Sequence, residues 1–198
     1  MKKTMFALVV CAALAGVAQA AVVIDFESDT VGAKPNSWMS ADSALVSFSD
    51  SMGANLSVYD YQQQSHGQGL AVNSDDPSYL IMDFAVPVSF LSLEFGNDDP
   101  GYSSPGDLAI LTAFLGGGQV GQTSVVMNRD DIMNQSISMS GLTFDRATFF
   151  YDVTGSGLIE IVDNIQFEPG GMIPAPGAIV LGSLGAGLVG WLRRRRTL

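Results

Sequence analysis

The sequence predicts an all-β chain: a two-sheet antiparallel jelly-roll sandwich over residues 21–168, preceded by a signal peptide and followed by a C-terminal transmembrane helix. Three observations carry this reading. Short apolar or alternating runs recur through the middle of the chain, separated by Gly, Pro, Asn, Asp and Ser turns. Residues 1–20 have the layout of an export signal. A glycine-rich apolar run near the C-terminus ends in four consecutive arginines.

At the N-terminus, Lys2 and Lys3 precede an apolar stretch over 5–17. Ala18, Gln19 and Ala20 then supply the small-x-small site that signal peptidase cuts, leaving Ala21 first. The apolar stretch is too short to span a bilayer. Cys11, the one cysteine of the chain, lies inside it, and Val10 is too bulky to precede an acylated cysteine, so a lipid anchor is set aside. The mature chain therefore has no disulfide, no cysteine nucleophile and no thiolate ligand.

Strands are predicted over 22–26, 44–48, 69–73, 79–84, 88–95, 108–115, 119–127, 135–139, 146–151 and 158–167. The run 88–95 alternates in part, as a half-buried strand does, and Gly116-Gly117-Gly118 between two apolar runs reads as a hairpin turn. So many short strands in a segment of one-domain size imply two packed antiparallel sheets. No motif repeats along the chain.

All 20 acidic residues fall within 21–168, where only Lys34, Arg129 and Arg146 oppose them, a formal charge of -17. Such a surface repels nucleic acid and anionic lipid, which excludes nucleic-acid binding and suits an extracellular protein. Hard oxygen donors are abundant and soft ones absent, so calcium is the natural cation.

Residues 169–176 form a linker that ends in Pro174, Ala175 and Pro176. The apolar run over 177–192 follows, and the tail over 193–198 carries Arg193, Arg194, Arg195 and Arg196. With the residues leading into it, the run reaches the length of a membrane-crossing helix, and the arginines hold its end on the cytoplasmic side. The acidic body then lies outside. Gly182, Ala186 and Gly190 recur every four residues, either as a face for close helix contact or as a loosening of the span.

Three acidic features bear on chemistry. Asp25, Glu27 and Asp29, at alternate positions of a segment read as extended, share a face and repel unless a cation joins them; solvated edge carboxylates are the other reading. The spacing is not an EF-hand, because Thr30 holds the glycine position and Asn36 the bidentate acid position. Asp163 and Asn164 open the polar part of the last strand. Adjacent acids Asp75-Asp76, Asp98-Asp99 and Asp130-Asp131 lie in loops, and Asn97-Asp-Asp-Pro-Gly101 reads first as turn chemistry.

Catalytic groups are scarce. His66 is the only histidine and reads as a solvated residue of a Gln/Ser/Gly loop, with no nucleophile elbow. A jelly-roll glycoside hydrolase needs two spaced carboxylates, and 25–29 lies too near the mature N-terminus for a central catalytic strand. Aromatic faces stack on sugars, and Trp38 in the Pro35-Asn-Ser-Trp loop is the leading glycan-binding residue, with Tyr59, Tyr61, Tyr79 and Tyr102 as further candidates.

The Pro-x-Pro turn, the Gly/Leu-rich span and the arginine cluster, in that order over 174–198, resemble the PEP-CTERM sorting signal of Gram-negative bacteria. That resemblance implies transient anchoring, recognition by exosortase, an integral-membrane cysteine protease, and delivery to the cell surface or extracellular matrix in association with exopolysaccharide and biofilm. Ala175 stands where the motif has Glu.

A first strand with Asp25-Phe-Glu27 and a last strand with Asp163-Asn-Ile-Gln-Phe167 resemble jelly-roll carbohydrate-binding modules and many PEP-CTERM bodies. This implies termini side by side, with structural calcium on Glu27 and Asp163 and Asp25 as a further ligand. The expected protein is a non-enzymatic surface or matrix protein. A calcium-stabilised glycan-binding module and a jelly-roll glycoside hydrolase are the alternatives.

Overall fold

The computed structural model describes residues 20–73, 77–154 and 158–170. Residues 1–19 of the signal segment, Ala18 among them, Asp75, Asp76, the Pro174-Ala175-Pro176 motif, the apolar span and Arg193 to Arg196 lie outside the described residues. Among the described residues no helix is long and apolar enough to cross a membrane.

Ten strands make up the domain: β1 (Val22–Ile24), β2 (Gly32–Lys34), β3 (Val46–Asp50), β4 (Leu56–Asp60), β5 (Gln68–Val72), β6 (Leu80–Gly96), β7 (Leu108–Leu115), β8 (Gly118–Val126), β9 (Gln135–Asp152) and β10 (Glu160–Pro169). The only helical piece among the described residues is a 3-10 turn, Gln62–Gln64. Every strand pair is antiparallel.

The pairing resolves into two layers that share their longest strands. The first half of β6 pairs with β3 and with the second half of β9, which leads on through β7 to β8. The second half of β6 pairs with the first half of β9 and with β10, which leads through β5 and β4 to β2 and also holds β1. Both long strands change layer at one corner, where the register shifts between Asp83 and Val88. Pro87 has no N–H for a ladder, and Gly141 adopts φ 75°. The strands expected over 79–84 and 88–95 are one strand, β6, as are those over 135–139 and 146–151 in β9; Pro87 and Gly141 mark corners rather than ends.

Two further differences concern the first third of the chain. β2 and β4 are absent from the sequence reading, although Leu56 and Val58 point inward in the alternation of β4. The first strand stops at Ile24, because Phe26 turns with φ 60° and buries its ring completely. Asp25, Glu27 and Asp29 therefore do not share a strand face. Asp29 accepts from Ser40 Oγ at 2.6 Å and Ala41 N at 2.7 Å, and Asp25 accepts from Glu27 N at 3.2 Å.

Aromatic rings join the layers. Phe84 meets Phe144 at 5.9 Å and Phe167 at 5.2 Å, and Phe95 meets Phe149 at 5.7 Å. Tyr151, buried beside them, donates its hydroxyl to Gly96 O; burial holds that phenol well above its ordinary pKa. Because the core is complete and the first and last strands pair within it, residues 21–170 form a unit able to fold alone. Gly170 N still donates to Pro87 O at 2.6 Å, so the unit extends past residue 168.

Phe149→Ala should cost about 3–5 kcal/mol, read as a fall in the denaturant midpoint of residues 21–170, because the ring is fully buried between Phe95 and Tyr151.

Candidate functional site

The site is built at the junction of β4 and β5. Asp60 Oδ1 accepts from Gln62 N at 2.8 Å, which turns the chain sharply; Gln62 takes φ 60° and starts the 3-10 turn. Ser65 Oγ accepts from Tyr61 N at 3.0 Å and donates to Gly67 O at 2.7 Å. These local bonds leave residues 59–64 standing as one wall of an open concavity of about 480 Å³, lined by Tyr59, Asp60, Tyr61, Gln62, Gln63 and Gln64.

The base of that wall is gripped by two carboxylates. Glu27 Oε1 accepts from Gln68 N at 2.7 Å, while Asp163 accepts from His66 N at 3.1 Å and Asn164 N at 2.6 Å. Gly67 lies between them with φ 118°, and a Cβ there would stand 1.9 Å from Glu27 Oε1, so the position requires glycine. Asn164, at φ 47° in the bulge of β10, donates to Glu94 Oε2 at 2.9 Å, and His66 Nδ1 lies 2.9 Å from that same oxygen. The sequence reading placed His66 in solvent; its ring, though half exposed, is paired with a carboxylate from β6.

On the far side, Gln64 Nε2 donates to both oxygens of Asp131, at 2.8 and 2.9 Å, and Met133 N donates to Gln63 O at 2.9 Å. Asp131 is fixed in turn by its own N–H on buried Asp98, which also accepts from Arg129 N at 2.6 Å. Asp99 accepts from Gly101 N at 2.5 Å, so the 97–101 segment is a supporting turn.

Within the concavity the two tyrosines meet edge to face at 5.9 Å. Tyr61 is anchored through its hydroxyl to Ser57 Oγ at 2.5 Å, whereas Tyr59 is 55% exposed. The Tyr59 hydroxyl and the Gln62 amide make no hydrogen bond within the described residues and face solvent, as groups that recognise hydroxyls do. Trp38 is placed otherwise: half buried, it packs on Phe26 and Phe48 with the Lys34 ammonium 5.1 Å over its ring.

The structure brings Glu27 and Asp163, expected as cation ligands, to the same three-residue turn from β10 and the segment after β1. Asp25 is exposed nearby. Gln68 Oε1, whose amide nitrogen donates to Glu27 O at 3.2 Å, is buried without a hydrogen-bond donor among the described residues. Among the described residues no group of three or more His, Cys, Asp and Glu side chains gathers as a metal site.

No family model matches this chain. No curated protein matches it in sequence. Among solved structures, an arabinose-bound GH51 α-L-arabinofuranosidase is similar with a TM-score of 0.50 at 16% identity, over 78% of this chain and 27% of the enzyme. This chain thus spans about a quarter of that protein, and the likeness is one of fold alone. The K1 cleaved adhesin domain of Lys-gingipain from Porphyromonas gingivalis aligns with a TM-score of 0.46 at 12% identity, over 77% of this chain and 100% of the domain. The family 32 carbohydrate-binding module of C. perfringens NanJ, solved with galactose, aligns with a TM-score of 0.38 at 11% identity, over 75% and 98% of the two chains.

Burial pushes the Asp163 carboxyl up to about 6, against the Asn164 and His66 N–H groups that pull it down. A raised carboxyl binds its proton more tightly in the folded state, so its contribution to stability falls as pH rises from about 4 to about 6. In chelator, the wild-type domain should lose roughly 2 kcal/mol more than Asp163→Asn across that window, measured by denaturant titration at each pH.

Proposed function

We propose that the domain is a non-catalytic glycan-binding module of an exported surface or matrix protein, with residues 59–64 as its binding wall. The observation that carries this reading is the open concavity lined by Tyr59, Tyr61 and three consecutive glutamines. An exposed tyrosine face and planar amides match the apolar faces and hydroxyl edges of a pyranose. Asp60 is the one carboxylate lining the concavity, and nearby Asp131 is engaged by Gln64, so the carboxylate pair that hydrolysis uses is not offered. The charge of -17 favours neutral polysaccharide, with acidic chains admitted through calcium bridges.

In this proposal the N-terminal segment, cut after Ala20, directs export. The tail from Pro174 to Arg196 presents the protein to an exosortase-type protease, and the domain then meets exopolysaccharide outside the cell. The support is the order of the tail's three parts and a thiol-free acidic body. Calcium on Glu27, Asp163 and the Gln68 amide oxygen would brace the turn below the binding wall. Its support is the buried, donorless oxygen beside the Glu27 backbone.

Gels containing the producer's polysaccharide should retard residues 21–170, and Tyr59→Ala should weaken binding about tenfold while lowering the melting temperature only slightly, through loss of the ring's edge contact with Tyr61. Equal retardation of the variant would refute the wall as the site.

Calcium should raise the melting temperature of the same domain, and Glu27→Ala should abolish that rise. An unchanged melt with calcium or chelator would remove the cation.

A further inference from the structure

We propose that β8 is a docking strand through which two copies of this chain pair edge to edge. β8 bonds only to β7, and among the described residues no other strand lies along its outer edge. Gln135 Nε2 reaches Val126 O at 2.9 Å at one end, and the length before it is open. An unpaired strand of this length offers a row of N–H and C=O groups to any chain that arrives.

Two other sheet edges, those of β3 and β2, are covered or short. The outer side of β3 is covered by Trp38, which exchanges both backbone bonds with Phe48, while Ser37 N donates to Ser49 Oγ and Asn36 Oδ1 accepts from Asp50 N further along the strand. β2 is only three residues long and carries Lys34. β8 has neither cover nor charge: Gly118-Gln-Val-Gly-Gln-Thr-Ser-Val-Val126 contains none, and no charged residue occurs anywhere from Leu108 to Asn128. Its inner face is seated on β9, where a Cβ at Gly121 would meet Leu142 Cδ1 at 2.4 Å, which holds the strand in place.

The occupant follows from charge. With a net charge of -17, two copies repel at most approaches, but charges beyond about 8 Å are screened at physiological salt. A long neutral edge lets two backbones meet without opposing carboxylates. Antiparallel pairing of a strand with itself is isologous and closes as a dimer. Full overlap of β8 places Gln122, its middle residue, opposite Gln122 of the second copy.

Sedimentation velocity of residues 21–170 over a wide concentration range tests this. A concentration-dependent dimer is expected, weakened about tenfold by Gln122→Asp, because like charges directly opposite destabilise a strand pair. Met52→Asp, which adds the same charge at an exposed site away from β8, should leave the dimer intact. Mixing Gln122→Asp with Gln122→Lys should restore the dimer that each variant loses alone. A monomer at all concentrations, equal dimerisation by Gln122→Asp, or failure of the mixture to recover would overturn the proposal. Circular dichroism of each variant confirms that loss of the dimer is not loss of the fold.

Discussion

Two carboxylates from opposite ends of the domain's chain hold the turn at 66–68, and the placement of the candidate site follows from that grip. Glu27 takes the N–H of Gln68 and Asp163 takes the N–H of His66, with Gly67 between them in a conformation that leaves no room for a Cβ. Neither bond is local: the partners are 41 and 97 residues apart. The turn in this position therefore depends on contacts from both the first and the last segments of the domain. Burial of Asp163 opposes its own ionisation, a cost that the bonds to two backbone N–H groups offset in part.

Much of the fold is legible from patterns of two. Val46, Phe48 and Asp50 point inward while Ser47 and Ser49 are partly exposed, and such alternation locates strands without knowledge of their partners. Long β6 and β9 are less legible because the apolar pattern lapses near Pro87 and Gly141, and only pairing on both sides of the corner shows the chain continuing. β2 was hidden by its length and by Gly-Ala-Lys, which carries no strand signal. The site was partly visible: Tyr59 and Tyr61 were recognisable as sugar-stacking candidates, but their proximity depends on the turn at Asp60 and Gln62. The pairing of half-exposed His66 was not legible, since its partner Glu94 comes from a strand 28 residues away.

Charge organises the surface as hydrophobicity organises the core. Asp50, Asp98, Asp107, Glu160 and Asp163 are buried and most of the other acidic residues face solvent, yet none lies in the β7–β8 hairpin and Asp60 alone lines the concavity beneath Tyr59. A glycan face and a self-pairing edge on the same domain would let a matrix protein cross-link polysaccharide through paired copies. Each contact could then be weak, because two linked sites bind with an effective concentration that neither has alone.

The most direct measurement is a backbone amide chemical-shift map of isotope-labelled residues 21–170, titrated with oligosaccharides cut from the producer's polysaccharide. Saturable shifts confined to residues 59–64 and their support at 66–68 and 131–133 are the expected result. Shifts centred on Trp38 or Tyr102, or none at saturating oligosaccharide, would contradict the binding wall.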